Sequence, residues 1–269
     1  ATGHLDQTMR LQVVYNSTYD HGTFYAAKTG ARSTGAGNTG SGRHILFGWI
    51  YENYCSMDWH NCPNHTQSNT SFHGVLSMPR ELTISAEGKL SYMPPKELQG
   101  LRLASEHHSA MHVTPAAPAL MRTRGWSVEV FAGFEVAPAS SEAYGVQILS
   151  SQDLASETTL VGYNATSQRA FIDLRNASLG SVGMRWVWTA PLAVQAGHGV
   201  ALRVYVDRST IELFAGQWRP TTENWEDIKY ERMITARAYV SQESSDHIAL
   251  FSRGAAVVAA QSHVFSVGT

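Results

Sequence analysis

Residues 199–214 read GVALRVYVDRSTIELF, and this stretch decides the fold class. Leu202 and Val204 alternate with Arg203, the two-residue period that is typical of a half-buried strand. The polar turn at 207–209 is followed by a second short apolar run. The pattern therefore predicts two antiparallel strands joined in a hairpin.

Similar short runs recur along the chain, and helix signals are almost absent. The runs lie at residues 11–15, 44–50, 126–134, 145–149, 170–174 and 248–251. Many short strands separated by turn residues indicate an all-β chain, built either as propeller blades or as a sandwich.

The clearest boundary between two strand-rich parts follows Pro94-Pro95. Proline cannot donate a hydrogen bond to a strand ladder, so the pair interrupts the sheet. A mixed stretch follows, and strand patterns resume at Trp126. We therefore divide the chain into residues 1–95, a linker at 96–124, and a β-sandwich at 125–269.

Composition and charge exclude several functional classes. The 269 residues are 43% apolar, which is enough for a substantial core. Twenty Lys and Arg face 22 Asp and Glu, and the net charge of −2 provides no basic field for nucleic acid. No apolar run approaches the roughly 18 residues of a membrane span. The glycines at 35–42 are unevenly spaced with no helix start after them, so a phosphate cradle is not expected.

The chain is rich in acceptor sequences for N-glycosylation. Five of its nine asparagines stand in Asn-x-Ser/Thr sequons, namely Asn16, Asn64, Asn69, Asn164 and Asn176. This excess predicts a secreted or vacuolar protein with surface glycans.

The two cysteines, Cys55 and Cys62, are close enough in sequence for one local disulfide. A zinc site with His60 and His65 is the weaker alternative, because the spacing does not match a structural zinc motif.

Five segments, taken in order along nearly the whole chain, resemble one family of carbohydrate-active enzymes. They are YDHGTFYAAKT at 19–29, GRHILFGWIYE at 42–52, GVLSMPREL at 74–82, VDRSTIELF at 206–214 and ITARAY at 234–239. These are similar to the conserved segments of glycoside hydrolase family 32, which comprises invertases, inulinases and related fructosyltransferases.

The resemblance implies a five-bladed β-propeller followed by a β-sandwich. A four-stranded blade takes about 40 to 50 residues, so residues 1–95 correspond to about the last two blades. The chain is accordingly expected to be the C-terminal part of a longer enzyme, with an upstream half or large subunit as its partner.

The resemblance also implies cleavage of β-fructofuranosides such as sucrose, inulin or levan, with retention of configuration. That chemistry needs a carboxylate nucleophile and a carboxylic acid about 5 to 5.5 Å apart, and no cofactor. The family carries these carboxylates in Asn-Asp-Pro, Arg-Asp-Pro and Glu-Cys segments, and none of the three occurs here. The catalytic groups are therefore expected upstream, and no catalytic residue is assigned in this chain.

Two residues match substrate-binding positions of the family. Asp20 matches an aspartate beside the scissile bond, and Trp49 matches a tryptophan beside the fructosyl site. A turn aspartate and a core tryptophan are the plain structural alternatives. Plant-type members have a lysine three residues after the aspartate, where this chain has Thr23, which weakens a choice between sucrose and longer fructans.

Other polar and aromatic residues are expected to be structural. Glu212 is expected to pair with Arg237 or Arg208 inside the sandwich, and a charge-assisted pair at Arg80-Glu81 is expected to fix the last strand before the boundary. Packing is the favoured role of Trp218 and Trp225, with an exposed sugar platform as the alternative. His108 and His112 lack a third ligand, so no metal site is predicted.

Two functions remain open at this point. The chain is either the C-terminal portion of a secreted β-fructosidase or a non-catalytic sandwich module that binds carbohydrate or stabilises a partner. Unpaired strand edges of an incomplete propeller would invite aggregation, which disfavours an independent module.

Overall fold

The computed structural model describes residues 1–32, 42–51, 74–180, 185–220 and 222–268. Within these ranges, seven strands precede the proline pair: β1 Thr2–Leu5, β2 Leu11–Tyr15, β3 Phe24–Arg32, β4 Arg43–Tyr51, β5 Gly74–Leu76, β6 Arg80–Ile84 and β7 Leu90–Met93. The described residues after the proline pair form twelve strands: β8 Arg102–Val113, β9 Ala119–Leu120, β10 Ser127–Phe134, β11 Ala143–Ser150, β12 Thr158–Asn164, β13 Arg169–Asn176, β14 Val187–Pro191, β15 Gly199–Asp207, β16 Thr210–Trp218, β17 Arg232–Arg237, β18 His247–Arg253 and β19 Val257–Val267. The helices in the described ranges are two short 3₁₀ segments, Lys96–Leu101 and Trp225–Asp227. No helix in these ranges is long and apolar enough to cross a membrane.

The later strands form a β-sandwich of two six-stranded sheets. The front sheet has the order β17-β16-β15-β10-β19-β8, and the back sheet has the order β14-β13-β12-β11-β18-β9. The largest hydrophobic core lies between them and includes Val130 and Leu202 from the front sheet and Val146 and Ile248 from the back sheet. The expectation of an all-β chain with a C-terminal sandwich is confirmed.

The β15–β16 hairpin is the element that the sequence pattern predicts best. Asp207 pairs with Thr210 across the turn, and the register continues without a shift to Gly199 opposite Trp218. The prediction of a half-buried strand is wrong, however, because Arg203 and Tyr205 are buried like the core residues that alternate with them.

A second hydrophobic core lies on the outer face of the front sheet, so this sheet is covered on both faces. Phe131, Phe214 and Trp218 extend from its outer face and cluster with Tyr92 and Tyr230, which come from elements outside the sandwich interior. The period-2 pattern gives the two faces correctly, but it cannot show that other parts of the chain cover the second one.

The segment at 96–124, expected to be a linker, contributes two strands to the sandwich. Strand β8 pairs with β19 along nearly its whole length, and the short β9 pairs with β18. Strand β8 lies at the edge of the front sheet, and most of its side chains are exposed. Its sequence therefore lacks the apolar alternation that marks a strand packed on a core.

The described part of residues 1–95 forms a separate hairpin and a five-stranded sheet. Strands β1 and β2 pair with each other, and the sheet has the order β3-β4-β6-β7 with β5 also paired to β4. The assignment of these elements to propeller blades stays a prediction.

Backbone pairing joins this first sheet to the sandwich. The Tyr92 N–H donates to Tyr230 O at 2.8 Å, and the Tyr230 N–H donates back to Tyr92 O at 2.9 Å. Near the start of β3, the Thr23 N–H donates to Thr235 O of β17 at 3.0 Å. The two parts therefore meet along hydrogen-bonded backbone.

Candidate functional site

Asp20 lies where the chain enters β3, against strand β17 of the sandwich. Its Oδ1 accepts hydrogen bonds from the Gly22 N–H at 2.7 Å, the Thr235 N–H at 3.0 Å and the Thr235 hydroxyl at 3.1 Å. Its Oδ2 lies 2.9 Å from Arg80 Nη2. The side chain is 1% exposed, so all of these contacts are made in the interior.

Gly22 explains why this turn can approach β17 so closely. A Cβ built at Gly22 would lie 1.7 Å from Thr235 O, a distance that no side chain tolerates. Glycine is therefore required for the backbone contact that brings Asp20 to Thr235.

Arg80, the first residue of β6, links Asp20 to the sandwich. Its Nη2 lies 2.9 Å from Asp20 Oδ2 and 2.9 Å from Glu212 Oε2 of β16, and the Met78 N–H donates to Glu212 Oε1 at 2.5 Å. The guanidinium carbon lies 4.1 Å from the centroid of the Phe24 ring. One buried cation is thus shared by two buried carboxylates from different parts of the chain. We call Asp20, Arg80 and Glu212 the boundary triad.

The electrostatics of the boundary triad follow from its burial. Desolvation raises the pKa of Glu212 above its ordinary value, although Arg80 and the Met78 N–H oppose this shift. Burial disfavours the charged form of Arg80, but the Asp20 and Glu212 carboxylates hold its pKa above the ordinary value. The triad is suited to fixing two elements against each other, because every charged side chain in it is already engaged.

Two expectations about charge pairing are corrected here. Glu212 pairs with Arg80, whose Nη2 lies 2.9 Å from Glu212 Oε2, rather than with Arg237 or Arg208. Arg80 and Glu81 are each paired but with different partners, since successive strand residues face opposite sides. Glu81 Oε2 lies 2.7 Å from Arg43 Nη2.

Trp49 lies on β4 in a partly exposed aromatic surface of the first sheet. It is paired across the sheet with Tyr25 of β3 and with Leu76 of β5, and the Tyr25 and Trp49 ring centroids are 6.1 Å apart. Phe47 is exposed on the same face of β4, two residues before Trp49. We call Tyr25, Phe47, Trp49 and Leu76 the apolar strip.

The structure does not bring Asp20 and Trp49 together into one open cleft. Asp20 is buried in the boundary triad, whereas Trp49 belongs to the apolar strip. Thr23 is fully buried beside Thr235. The substrate-binding roles of Asp20 and Trp49 stay predictions.

A second ion cluster, which the sequence analysis missed, lies on the outer face of the front sheet. Glu129 accepts from Arg102 through both oxygens, at 2.7 and 2.8 Å, and from Arg203 Nε at 2.8 Å. Burial alone would raise the pKa of Glu129, but the two guanidinium groups lower it below its ordinary value. Glu226 binds both arginines as well, which fastens the 3₁₀ segment with Trp225 over the sheet. The sequence signal that could have indicated this cluster is the presence of charged residues inside strongly apolar strands.

The remaining sequence predictions fall on structural or undescribed positions. Trp218 is fully buried and Trp225 stacks on His263 with ring centroids 4.3 Å apart, so packing accounts for both. His108 Nε2 lies 2.6 Å from Glu106 Oε1, and no metal-ligand cluster occurs among the described residues. Asn16 and Asn176 are exposed and Asn164 is half-buried at the end of β12. Cys55, Cys62, Asn64 and Asn69 lie outside the described residues.

Comparison with known proteins finds one matching family and several similar chains. A family model described as "Glycosyl hydrolases family 32 C terminal" matches residues 97–266. The chain is 28% identical to a levanase from Bacillus subtilis over 203 residues, covering 72% of this chain and 28% of the levanase. It is 22% identical to fructan 1-exohydrolase w3 from Triticum aestivum, covering 89% and 42% of the two chains.

A solved structure shows the same fold. The crystal structure of fructan 1-exohydrolase IIa from Cichorium intybus aligns with a TM-score of 0.74 at 18% identity, covering 98% of this chain and 52% of the other. The chain thus spans about half or less of the length of these relatives. The family model covers more than half of this chain, from the 3₁₀ segment before β8 to the end of β19, and the chain therefore belongs to glycosyl hydrolase family 32, with residues 97–266 as the C-terminal domain.

Proposed function

We propose that this chain is the C-terminal portion of a β-fructofuranosidase-type glycoside hydrolase of the secretory route that acts on sucrose or fructans. The catalytic carboxylates lie upstream of residue 1 in this proposal. The similarity to a levanase and to a fructan exohydrolase supports the proposed substrate class. This chain covers about half of the solved relative, which supports the proposal that the enzyme has a further, upstream portion.

The observation that carries the proposal is the apolar strip on the first sheet. Leu76 is 71% exposed, and Tyr25, Phe47 and Trp49 are exposed beside it. Contiguous exposed apolar surface of this kind marks an interaction site. An upstream half that packs on this strip would cover it and complete the catalytic unit.

In the complete enzyme, retention would proceed through a fructosyl-enzyme. One carboxylate would attack the anomeric carbon while a carboxylic acid protonates the leaving oxygen, and water would then release the fructose. We propose that Trp49 forms part of the wall of this site. The Asp20 side chain is 1% exposed, so it can bind a sugar hydroxyl only if the residues that cover it move away.

The experiment combines this chain with the upstream half of the enzyme and measures fructose release from sucrose and inulin. A folded complex that releases fructose supports the proposal, and a folded complex that releases none refutes it. Two exposed leucines provide matched variants, since Leu76 lies in the apolar strip and Leu103 of β8 lies on the sandwich at 75% exposure. We expect Leu76→Asp to abolish association and activity, and Leu103→Asp to leave both unchanged.

Glycans and the disulfide belong to the same proposal. We propose that the secreted protein carries N-glycans at the five sequons and a Cys55–Cys62 disulfide. Mass spectrometry of the secreted protein, before and after enzymatic removal of N-glycans and before and after reduction, measures both directly.

A further inference from the structure

The outer edges of the two sheets of the sandwich differ in how they are protected. In the front sheet, β17 is paired with the chain itself, because the His21 and Thr23 amides donate to its carbonyl oxygens at 3.0 Å each. In the back sheet, β14 has five residues and ends in Pro191, and β9 has only two residues. Covering an edge, shortening it and ending it with proline are usual ways of preventing further strand pairing. The remaining edge strand, β8, is different.

Strand β8 is the longest of these edge strands and lacks such protection. It has twelve residues, and the described part of the chain pairs it with β19 alone. It contains neither proline nor lysine. Its arginine, Arg102, binds Glu129. Its glutamate, Glu106, accepts hydrogen bonds from the Arg122 and Thr123 amides. No charge is therefore left to guard the edge, and its outward N–H and C=O groups are available to another strand.

The middle of β8 is regular enough to receive that strand. Residues 104–109 pair with residues 261–266 of β19 without a register shift. The irregular positions lie outside this segment, since the register shift is at the start of β8 and the φ of 52° is at Ala110. Ser105 and Ser109 are small and exposed. The segment therefore presents a straight edge that a second strand can approach.

We propose that this edge is a dimer interface, in which β8 pairs antiparallel with β8 of a second copy of this chain. The two front sheets then form one continuous sheet across a twofold axis. The upstream half of the enzyme is a poorer occupant, because the first sheet, which would receive it, is joined to β17 at the opposite edge. The proposal concerns the sandwich alone and does not depend on the function proposed above.

The sequence of β8 is complementary to itself in one register. Residues directly opposite each other lie on the same face of a sheet, so the twofold axis sets one residue opposite its own copy. In the straight segment this residue is Glu106 or His107. A centre at Glu106 would oppose two carboxylates, which is destabilising. A centre at His107 instead sets each Glu106 opposite His108 of the second copy, and each Ser105 opposite Ser109 of the second copy.

The size of the contact limits its strength. Twelve residues at about 3.3 Å each make β8 about 40 Å long, and the edge of a two-sheet sandwich is about 20 Å thick with its side chains. Two copies joined along it bury at most about 800 Å² each, the size of a standard interface. Because only the middle of the strand is regular, we expect a reversible dimer with a dissociation constant on the order of 10 µM.

The test is sedimentation velocity of this chain at concentrations on both sides of this dissociation constant. Ser105→Lys combined with Ser109→Lys sets two lysines opposite each other twice, and we expect it to weaken the dimer about two- to thirtyfold. Ser105→Lys combined with Ser109→Glu changes the same positions but pairs opposite charges, so we expect the affinity to return to that of the parent chain or to exceed it. Ala193→Lys with Ala196→Lys, in an exposed loop beside β14, adds the same charge elsewhere and serves as the matched control.

Three results would overturn the proposal. They are a parent chain that stays monomeric at every concentration, a dimer that the double lysine variant and the control weaken equally, and no recovery in the lysine-glutamate variant. Circular dichroism melting of each variant shows that it is folded at the temperature of the measurement. The complementation experiment reports on the catalytic proposal alone, so failure of one proposal is distinguishable from failure of the other.

Discussion

Replacing Arg80 with methionine removes the cation of the boundary triad while keeping most of the side-chain volume. Arg80 is fully buried, and its Nη2 contacts Asp20 and Glu212 at 2.9 Å each. The variant would leave two carboxylates buried without their counter-charge, and breaking a buried ion pair in this way costs about 3 to 5 kcal/mol. For a chain of this length, each kcal/mol lowers the melting temperature by about 2 to 4 °C, so we expect a decrease of roughly 6 to 20 °C.

Arg43 is the matched control, since it also bridges two carboxylates, Glu81 and Glu97, but is 36% exposed. An ion pair in contact with solvent contributes at most about 1 kcal/mol, so Arg43→Met should change the melting temperature by a few degrees at most. The assay is thermal unfolding followed by circular dichroism, with hydrogen exchange at the Thr23 and Met78 amides as a local readout. Adding Glu212→Gln to Arg80→Met should recover part of the loss, because one stranded charge is removed. Equal effects of the two arginine variants, or no recovery in the double variant, would refute the reasoning.

Three further predictions concern the sandwich. Gly133→Ala should destabilise the chain by about 1 to 3 kcal/mol in urea unfolding, because its Cβ would lie 2.1 Å from the Trp218 ring and overpack the outer core; unchanged stability would contradict this contact. Burial lowers the pKa of His263 to about 4, so its neutral form stabilises the fold above the ordinary histidine pKa and this stabilisation is lost as the pH falls from about 6.5 toward 4. In His263→Phe, the drop in melting temperature between pH 7 and pH 4.5 should therefore be smaller than in the parent chain. Burial would raise the pKa of Glu106, but hydrogen bonds from His108 and from the Thr123 and Arg122 amides lower it to about 2. The contribution of Glu106 to stability is therefore lost as the pH falls from about 4.5 through 2. Glu106→Gln should be less stable at pH 7 and less sensitive to acid over that range, and an unchanged acid profile would contradict the assignment.

Local patterns predict the parts of the fold that depend on neighbouring residues. The β15–β16 hairpin is confirmed in position and register because its two strands are joined by a tight turn. Strand β8 could not be recognised, because it is an exposed edge strand whose partner β19 lies about 150 residues further along the chain. The backbone hydrogen bonds that pair β8 with β19 produce no periodic pattern of apolar and polar side chains in β8.

The same limit applies to the candidate site. The segment around Asp20 is recognisable as a motif, but the groups that fix its carboxylate come from distant positions, with Thr235 lying 215 residues away. The Arg80–Glu212 pair spans 132 residues, and sequence spacing favoured nearer arginines on the hairpin and the neighbouring strand. Tertiary packing decides which charged residues pair between the two parts of the chain. The sequence of a single segment therefore does not predict the partner.

The reciprocal hydrogen bonds between Tyr92 and Tyr230 have a practical consequence for anyone who exchanges modules between enzymes of this type. A graft that begins at the prolines after β7 would transfer the sandwich without β7, the strand whose Tyr92 pairs with Tyr230. It would also expose the aromatic cluster around Trp218 to water. The recipient would need a donor and an acceptor at the position of Tyr92 and a glycine at the position of Gly22. Compatibility between the first sheet and the sandwich is therefore set by a few backbone atoms where the two meet, and a successful chimera would be designed by matching those atoms first.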